Sequence, residues 1–102
     1  HGHNLRLDFY LPSQNIAIEM NGAQHYVQIK KFQKERKNLL KQQEYDRHKI
    51  SYCLTNKIPL YIIPYWEIDN MKTTSDIFQD KFLAKTKWHN DIVYREYKKR
   101  GQ

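Results

Sequence analysis

The chain has 102 residues, of which 18 are Lys or Arg and 11 are Asp or Glu, and its formal net charge is +7. This length corresponds to one domain, and the excess of positive charge favours a partner that carries phosphates. Because the sequence shows no membrane-length apolar run, no signal peptide and only one cysteine, it excludes a disulfide framework or a cysteine-based zinc module, and we expect an intracellular, non-membrane protein.

The first predicted element is a pair of short strands at residues 5–11 and 16–20. Side chains alternate along the first strand, with Leu5, Leu7, Phe9 and Leu11 on one side and Arg6, Asp8 and Tyr10 on the other. Residues 12–15, Pro-Ser-Gln-Asn, have the composition of a turn. The two strands are therefore expected to form an antiparallel hairpin.

Strand pairing determines where the two acids of this hairpin lie. One register pairs Leu11 with Ile16. In that register Asp8 lies directly opposite Glu19 on the polar face, with Cβ atoms roughly 4.5–5.5 Å apart. Like charges at that separation repel, and a divalent cation would remove the conflict, because hard cations such as Mg²⁺ bind carboxylate oxygens. The alternative is that both acids are solvated in a different register.

A histidine and a third acid follow the hairpin. His25 emerges just after the turn signal Asn21-Gly22, where an imidazole could reach a scissile phosphate or the attacking water; the alternative is a hydrated surface group. Residues 41–57 read as a helix whose inward stripe includes Asp46. The apolar members of that stripe are Ile50, Cys53 and Leu54. A buried acid needs a partner, so we expect His25 or the metal beside Asp46, unless this end of the helix is exposed and Asp46 only complements its N-terminus.

The remainder of the chain predicts further helices and one more strand. Residues 27–40 read as a helix or a basic loop, and the apolar run 60–63 reads as a strand buried on both faces. A helix is expected over residues 74–85, with Ile77, Phe78 and Phe82 facing inward, and a last helix from Asn90. The expected fold class is α/β: a small mixed sheet, made of the N-terminal antiparallel hairpin and a further strand, flanked by helices.

Four segments carry a resemblance to a known superfamily. They are residues 7–12 (LDFYLP), 16–26 (IAIEMNGAQHY), 46–49 (DRHK) and 58–64 (IPLYIIP). In these segments the chain resembles the PD-(D/E)xK nuclease superfamily. More narrowly, it is similar to the branch of the very-short-patch-repair (Vsr) mismatch endonucleases and the related phage intron-encoded homing endonucleases. The resemblance covers about residues 5–66 and implies a restriction-endonuclease-like fold.

The resemblance also implies roles for four residues. Asp8 is the central metal ligand, and Glu19 falls at the second ligand position, where this branch uses either the side chain or only the backbone carbonyl. His25 corresponds to the histidine that acts near the scissile phosphate, and Asp46 corresponds to the acid that orients it. The implied cofactor is Mg²⁺ or Mn²⁺, held by Asp8 and Glu19.

Two departures from the family pattern are visible. The superfamily's lysine, two residues after the second acid, is Asn21 here, which leaves lysine-assisted activation of water without its usual residue. The branch also places a catalytic glutamate on a helix ahead of the first strand, and we expect residues 1–102 to be a single catalytic domain from a larger protein. Lys49 shares the inner face of the predicted helix with Asp46, and it is a candidate to contact phosphate in place of the missing lysine.

Basic residues are concentrated in two parts of the chain. The first group is expected to grip the DNA backbone beside the cut, the alternative being a solvated helix face: Lys30, Lys31, Lys34, Arg36 and Lys37. The second group is interpreted as a solubilising terminus: Arg95, Lys98, Lys99 and Arg100. Tyr65 and Trp66 are expected to pack under the following helix, with stacking on a base as the alternative.

Together these features predict a metal-dependent endonuclease that hydrolyses phosphodiester bonds in duplex DNA. Homing is preferred over mismatch repair, because the zinc-site cysteines of the repair enzymes are absent. A homodimer would supply the two active sites that double-strand cleavage needs. The main alternative is a DNA-binding module that keeps the nuclease fold without catalysis, and a more distant one is a basic RNA-binding domain.

Overall fold

The computed structural model describes residues 7–27 and 36–101, with side chains for 7–27 and 39–101. In chain order, the strands and α-helices in these ranges are β1 (Phe9–Leu11), β2 (Ile16–Asn21), α1 (Arg36–Thr55), β3 (Leu60–Pro64) and α2 (His89–Gly101). Short 3-10 turns cover Ala23–His25, Tyr65–Asn70, Thr74–Asp76 and Asp80–Phe82. The predicted class, a small mixed α/β protein with a sheet and helices, is confirmed.

Strand β2 is the centre of the sheet, because it pairs antiparallel with β1 and parallel with β3. A parallel pair requires a crossover connection, and α1 lies within it. The β1–β2 register pairs Leu11 with Ile16, which is the first of the two alternatives that the sequence left open. Asn15 completes the turn in the left-handed conformation, with φ 56°, which Asn tolerates better than most residues. Its N–H donates to the carbonyl of Pro12.

The first strand is shorter than predicted, and its faces are divided differently. The chain bends at Asp8, so Leu7 packs against the core beneath α1 while Leu11 packs on the opposite face of the sheet. The predicted placement of residues 5–6 lies outside the described residues. The sequence placed Glu19 on a polar face, with a solvated surface acid as the alternative. The solvated alternative is wrong for Glu19, because α1 covers this face and Glu19 is only 5% exposed.

Apolar side chains pack on both faces of the sheet. Between the sheet and α1 lie Ala17, Ile50, Cys53, Leu60, Ile62 and Ala84. On the other face lie Ile18, Ile63 and Phe82, flanked by Leu11, Ile16, Tyr61, Met71, Ile77 and Phe78. Cys53 is therefore a small buried hydrophobe, as predicted. The inward placement predicted for Ile77, Phe78 and Phe82 is also confirmed.

The segment predicted as a helix over residues 74–85 forms two 3-10 turns instead. Asp76 accepts a hydrogen bond from the N–H of Thr73, which closes a local turn. Farther on, the N–H of Ala84 donates to the carbonyl of Leu60. This bond places the segment along the outer edge of β3 and protects that edge from pairing with another chain. A continuous helix could not make it, because helical N–H groups bond to carbonyls four residues back.

An aromatic cluster fastens α2 to the turn that follows β3. Trp66 stacks on Tyr97 with ring centroids 3.9 Å apart. Tyr26 lies 4.9 Å from Trp66 and 5.4 Å from Tyr94, measured between centroids, and Tyr65 meets Trp66 edge to face. Tyr65 and Trp66 are therefore packed, as predicted, but the helix they pack against is α2 and not the helix predicted over residues 74–85.

The packing predicts a large difference between two Leu→Ala substitutions. Leu60 is 2% exposed within the core, whereas Leu40 on α1 is 61% exposed. Leu60→Ala should lower the free energy of unfolding by about 2–5 kcal/mol because it leaves a cavity, and Leu40→Ala should change it by less than about 0.5 kcal/mol. Urea denaturation of both variants measures the difference. Equal losses would contradict the placement of β3 in the core.

Candidate functional site

The two acids of the hairpin are tied to each other's strand. The N–H of Asp8 donates to Glu19 Oε2 at 2.9 Å, and the N–H of Met20 donates to Asp8 Oδ2 at 2.7 Å. The β1–β2 register, continued one residue beyond β1, places Asp8 opposite Glu19. Asp8 is exposed and Glu19 is buried. The acids therefore form one site with an open side at Asp8 and a closed side at Glu19.

Lys49 brings a positive charge to the closed side of this site. Its Nζ lies 3.0 Å from Glu19 Oε1, and both side chains are buried. Lys49 follows Asp46 by three residues on α1, so the two side chains leave the same face of the helix. The sequence predicted Lys49 as a phosphate contact, whereas in the structure it binds Glu19.

Burial raises the pKa of Glu19 above its ordinary value of 4.5. The hydrogen bond and the charge of Lys49 oppose this effect, as does the hydrogen bond from the N–H of Asp8. The charge of the Asp8 carboxylate raises the pKa further, because two like charges close together disfavour ionisation. The site therefore holds a carboxylate whose ionised form depends on a neighbouring cation.

His25 and Asp46 form a second pair. His25 lies on the 3-10 turn after β2, and its Nδ1 is 2.8 Å from Asp46 Oδ2. Gln42, one helical turn before Asp46, donates to Oδ1 at 2.9 Å, so both carboxylate oxygens have partners. The predicted contact between His25 and Asp46 is present. Because Nδ1 is engaged by the carboxylate, Nε2 is the ring nitrogen left for other chemistry.

One small cavity is bordered by Glu19 and Lys49 of the first pair and by Asp46 of the second. The buried polar residues of the described chain are Glu19, Asn21, Asp46, Lys49 and Asn90, and all of them line a cavity of about 10 Å³. This volume has room for about one water molecule. Asn90 Oδ1 is buried and has no hydrogen-bond partner among the described residues. Asn21 donates to the hydroxyl of Tyr26 at 3.2 Å, and burial raises the pKa of that tyrosine.

His25 and Asp46 also border a larger cleft, between α1 and α2, with a volume of about 240 Å³. Its lining residues are His25, Tyr26, Gln43, Asp46, Arg47, Asn90, Asp91, Tyr94 and Arg95. Sequence reasoning did not connect α2 with the site. It read Asn90 only as a helix start and Arg95 only as part of a basic terminus. No local pattern links either residue to His25, because the cleft that they share forms only when the helices pack together.

Most of the basic side chains predicted to contact DNA lie outside the described part of the chain. Lys30, Lys31 and Lys34 lie outside the described residues, and so do the side chains of Arg36 and Lys37, which begin α1. Lys49 is the one member of the predicted DNA-binding set whose side chain is described, and it is buried against Glu19.

The hairpin supplies two possible metal ligands, the carboxylates of Asp8 and Glu19. Among the described residues, no three or more His, Cys, Asp or Glu side chains converge in an arrangement that could hold a metal. Mg²⁺ is usually bound through one or two carboxylates, with water and substrate phosphate completing its coordination. Asp8 and Glu19 supply two carboxylates, and Asp8 is exposed. The hairpin therefore offers two carboxylates, which are oxygen donors of the kind that hard divalent cations bind.

Comparison with known proteins finds viral relatives. The chain is 39% identical over 62 residues to uncharacterized protein 307L of Invertebrate iridescent virus 6, and this aligned region covers 61% of the chain and 32% of the relative. It is 33% identical over 64 residues to uncharacterized protein 033L of Invertebrate iridescent virus 3, covering 63% and 33%. It is 42% identical over 65 residues to uncharacterized protein 094L of Frog virus 3 (isolate Goorha), covering 63% and 42%.

The chain thus spans about a third to two fifths of the length of these curated relatives. No protein-family model and no solved structure matches the chain, so its kinship with PD-(D/E)xK nucleases stays a prediction. Neither helix in the described ranges is both long and apolar enough to cross a bilayer.

The buried ion pair predicts a pH-dependent stability for Lys49→Met. Removing one partner of a buried pair costs about 3–5 kcal/mol at neutral pH, because an unpaired charge stays buried. The folded-state pKa of Glu19 is raised, so protonation of Glu19 favours the folded form. The deficit relative to the wild-type protein should therefore shrink as the pH falls from 7 toward 4.5, the ordinary value.

Urea denaturation at pH 7 and pH 5 measures this deficit. The matched control is Lys85→Met, which removes the partner of Asp80 from an exposed pair and should cost no more than about 1 kcal/mol at either pH. The same deficit for Lys49→Met at both pH values would show that Glu19 does not carry the effect.

Proposed function

We propose that this chain is the catalytic domain of a Mg²⁺-dependent DNA endonuclease with a restriction-endonuclease-like fold. One observation carries the proposal: α1 presents Lys49 to the acid pair of the hairpin and, one turn earlier, Asp46 to His25. Two acids, a lysine and an acid-oriented histidine are a set suited to phosphodiester hydrolysis. The positive net charge agrees with a nucleic-acid substrate.

Asp8 and Glu19 would hold the metal, which when bound lowers the pKa of a coordinated water and offsets the charge that develops on the phosphate. The side chain of Glu19 points toward Asp8, since Oε2 accepts the N–H of Asp8, and this supports a metal role for the side chain rather than only for the backbone carbonyl. Because Asp8 is exposed, it is the acid that a substrate phosphate would approach. Manganese would serve the same oxygen donors.

Lys49 takes the place of the lysine that the superfamily carries on the strand. Asn21 occupies that strand position and is buried against the hydroxyl of Tyr26. The ammonium of Lys49 instead reaches Glu19 from α1. An ammonium has three donors, and the bond to Glu19 uses one. Lys49 favours the ionised form of Glu19 against the effect of burial, and it adds positive charge beside the acids, where a phosphate would be bound.

His25 acts at the scissile phosphate, and Asp46 orients it. The hydrogen bond at Nδ1 fixes the ring and favours the tautomer that leaves Nε2 for the substrate. From that position His25 serves as a general acid or base, or stabilises developing charge. Gln42 holds the other oxygen of Asp46 and so restricts the orientation of the pair.

A second candidate function is a DNA-binding module that keeps this fold without cleaving. The observation that favours it is the state of Glu19, whose two oxygens are both engaged within the protein, one by Lys49 and one by the N–H of Asp8. In that case the ion pair is a structural contact. Of the two nuclease roles, homing rather than mismatch repair remains our narrower proposal.

Plasmid nicking separates these two candidates. The wild-type chain should nick supercoiled DNA with Mg²⁺ and should not nick it with excess EDTA. Asp8→Asn should lower the rate by about 100-fold or more, because it removes a charged metal ligand. Asp80→Asn, the same change at an exposed acid, should leave the rate unchanged. DNA binding without nicking under any metal condition would support the module instead.

His25→Ala should lower the nicking rate by about 10²–10⁴-fold, the usual contribution of general acid–base catalysis, with little change in the Kd for DNA. The control is His48→Ala, since His48 is an exposed residue of α1 that does not line the cleft beside His25. Single-turnover nicking and a filter-binding titration give the two quantities. A wild-type rate for His25→Ala would remove the imidazole from the mechanism.

A further inference from the structure

Helix α2 carries a strip of basic residues that begins at the cleft beside His25. Arg95 lines that cleft. Lys98 and Lys99 follow it by three and four residues, so they lie next to it on the helix surface. All three side chains are exposed, and Lys98 Nζ lies 5.8 Å from the centroid of the Tyr94 ring, which also lines the cleft. We call Arg95, Lys98 and Lys99 the α2 strip.

The other charges at the cleft are neutralised within the protein. Arg47 forms a bidentate pair with Asp91, with both N–O distances 3.0 Å, and it lies over the ring of Trp88. Asp46 is paired with His25. Arg95 makes no ion pair or hydrogen bond within the part of the chain that the structure describes. Among the charged cleft residues, it is the one whose charge the described protein leaves for a partner.

The partner that fits is a run of phosphates rather than a single anion. Successive basic side chains at helical spacing present positive charge along a line, and a nucleic-acid backbone carries negative charge along a line. Arg100 does not belong to this strip, because it lines a different groove with Trp66 and Glu96. The strip therefore has a direction: it runs along α2 and ends at the cleft that His25 borders.

We propose that the α2 strip binds the sugar–phosphate backbone of duplex DNA and leads one strand to His25. This inference rests on the proposed function, and it assigns that function a substrate-binding surface outside the segments that resemble known nucleases. It also revises the interpretation of this region as a solubilising terminus. Contacts of this kind position the duplex and do not read its sequence.

The salt dependence of DNA binding tests the strip. Binding of the full chain to a fluorescent duplex is measured in EDTA, so that cleavage does not interfere, across a series of salt concentrations. Arg95→Gln combined with Lys98→Gln should weaken binding on the order of tenfold at physiological salt. It should also reduce the slope of log K against log salt by about 1.8, or 0.9 for each lost phosphate contact.

The matched control is Lys72→Gln combined with Lys87→Gln. Both lysines are exposed and neither lines the cleft. Each double variant loses two positive charges, so the two have the same formal charge. The control should keep most of the wild-type slope. Equal weakening by both double variants would show that only net charge matters and would overturn the strip. Tighter binding of single-stranded RNA than of duplex DNA would also overturn it.

The strip and the proposed nuclease activity fail separately. If the wild-type chain binds DNA through the strip but does not nick it with Mg²⁺, the role of the strip in DNA binding is supported and the nuclease proposal is contradicted. If the chain nicks DNA while the strip variant binds DNA like the control, the nuclease proposal is supported and the role of the strip in DNA binding is contradicted. Circular dichroism of both double variants should match the wild-type spectrum, because the four substituted residues are exposed.

Discussion

The buried ion pair between Lys49 and Glu19 is the contact on which the arrangement of the site depends. Removing two charges from water costs several kcal/mol for each ion, and only a close partner with good geometry offsets that cost. The pair is 3.0 Å long and buried, so α1 must dock on the sheet with Lys49 above β2 and not one residue earlier or later. Through its second oxygen, Glu19 also holds the backbone of Asp8, which extends the same constraint to the exposed edge of the hairpin.

Helix α1 is the element that joins the two halves of the site. Asp46 and Lys49 are three residues apart, so the rotation that brings Lys49 to Glu19 also brings Asp46 to His25. Both acids that meet these partners are buried, and the cavity that they line is also lined by Asn90 of α2. A shift of α1 would therefore disturb both pairs at once. Under the proposed nuclease function, a movement of α1 would therefore change the position of the metal ligand Glu19 and the orientation of His25 at the same time.

Several parts of the fold could be read from the sequence. The alternation of the first two strands and the turn between them predicted the hairpin and offered two registers, of which the structure has the one that pairs Leu11 with Ile16. The apolar run of β3 predicted a strand buried on both faces. The bend at Asp8 and the 3-10 turns at residues 74–85 were not predicted. Both depend on contacts distant in sequence, and local helix propensity is too weak to outweigh them.

By itself, the sequence determined that Asp8 and Glu19 would face each other in one of two registers, and it nominated His25 and Asp46 as candidates, since strand alternation and helical periodicity are local and set which side chains share a face. Only the tertiary structure decided that Lys49 binds Glu19 and that Arg95 borders the cleft of His25. The physical reason is that both results depend on how helices dock. Docking is fixed by the burial of side chains and the pairing of charges across elements, and no spacing along the chain records it.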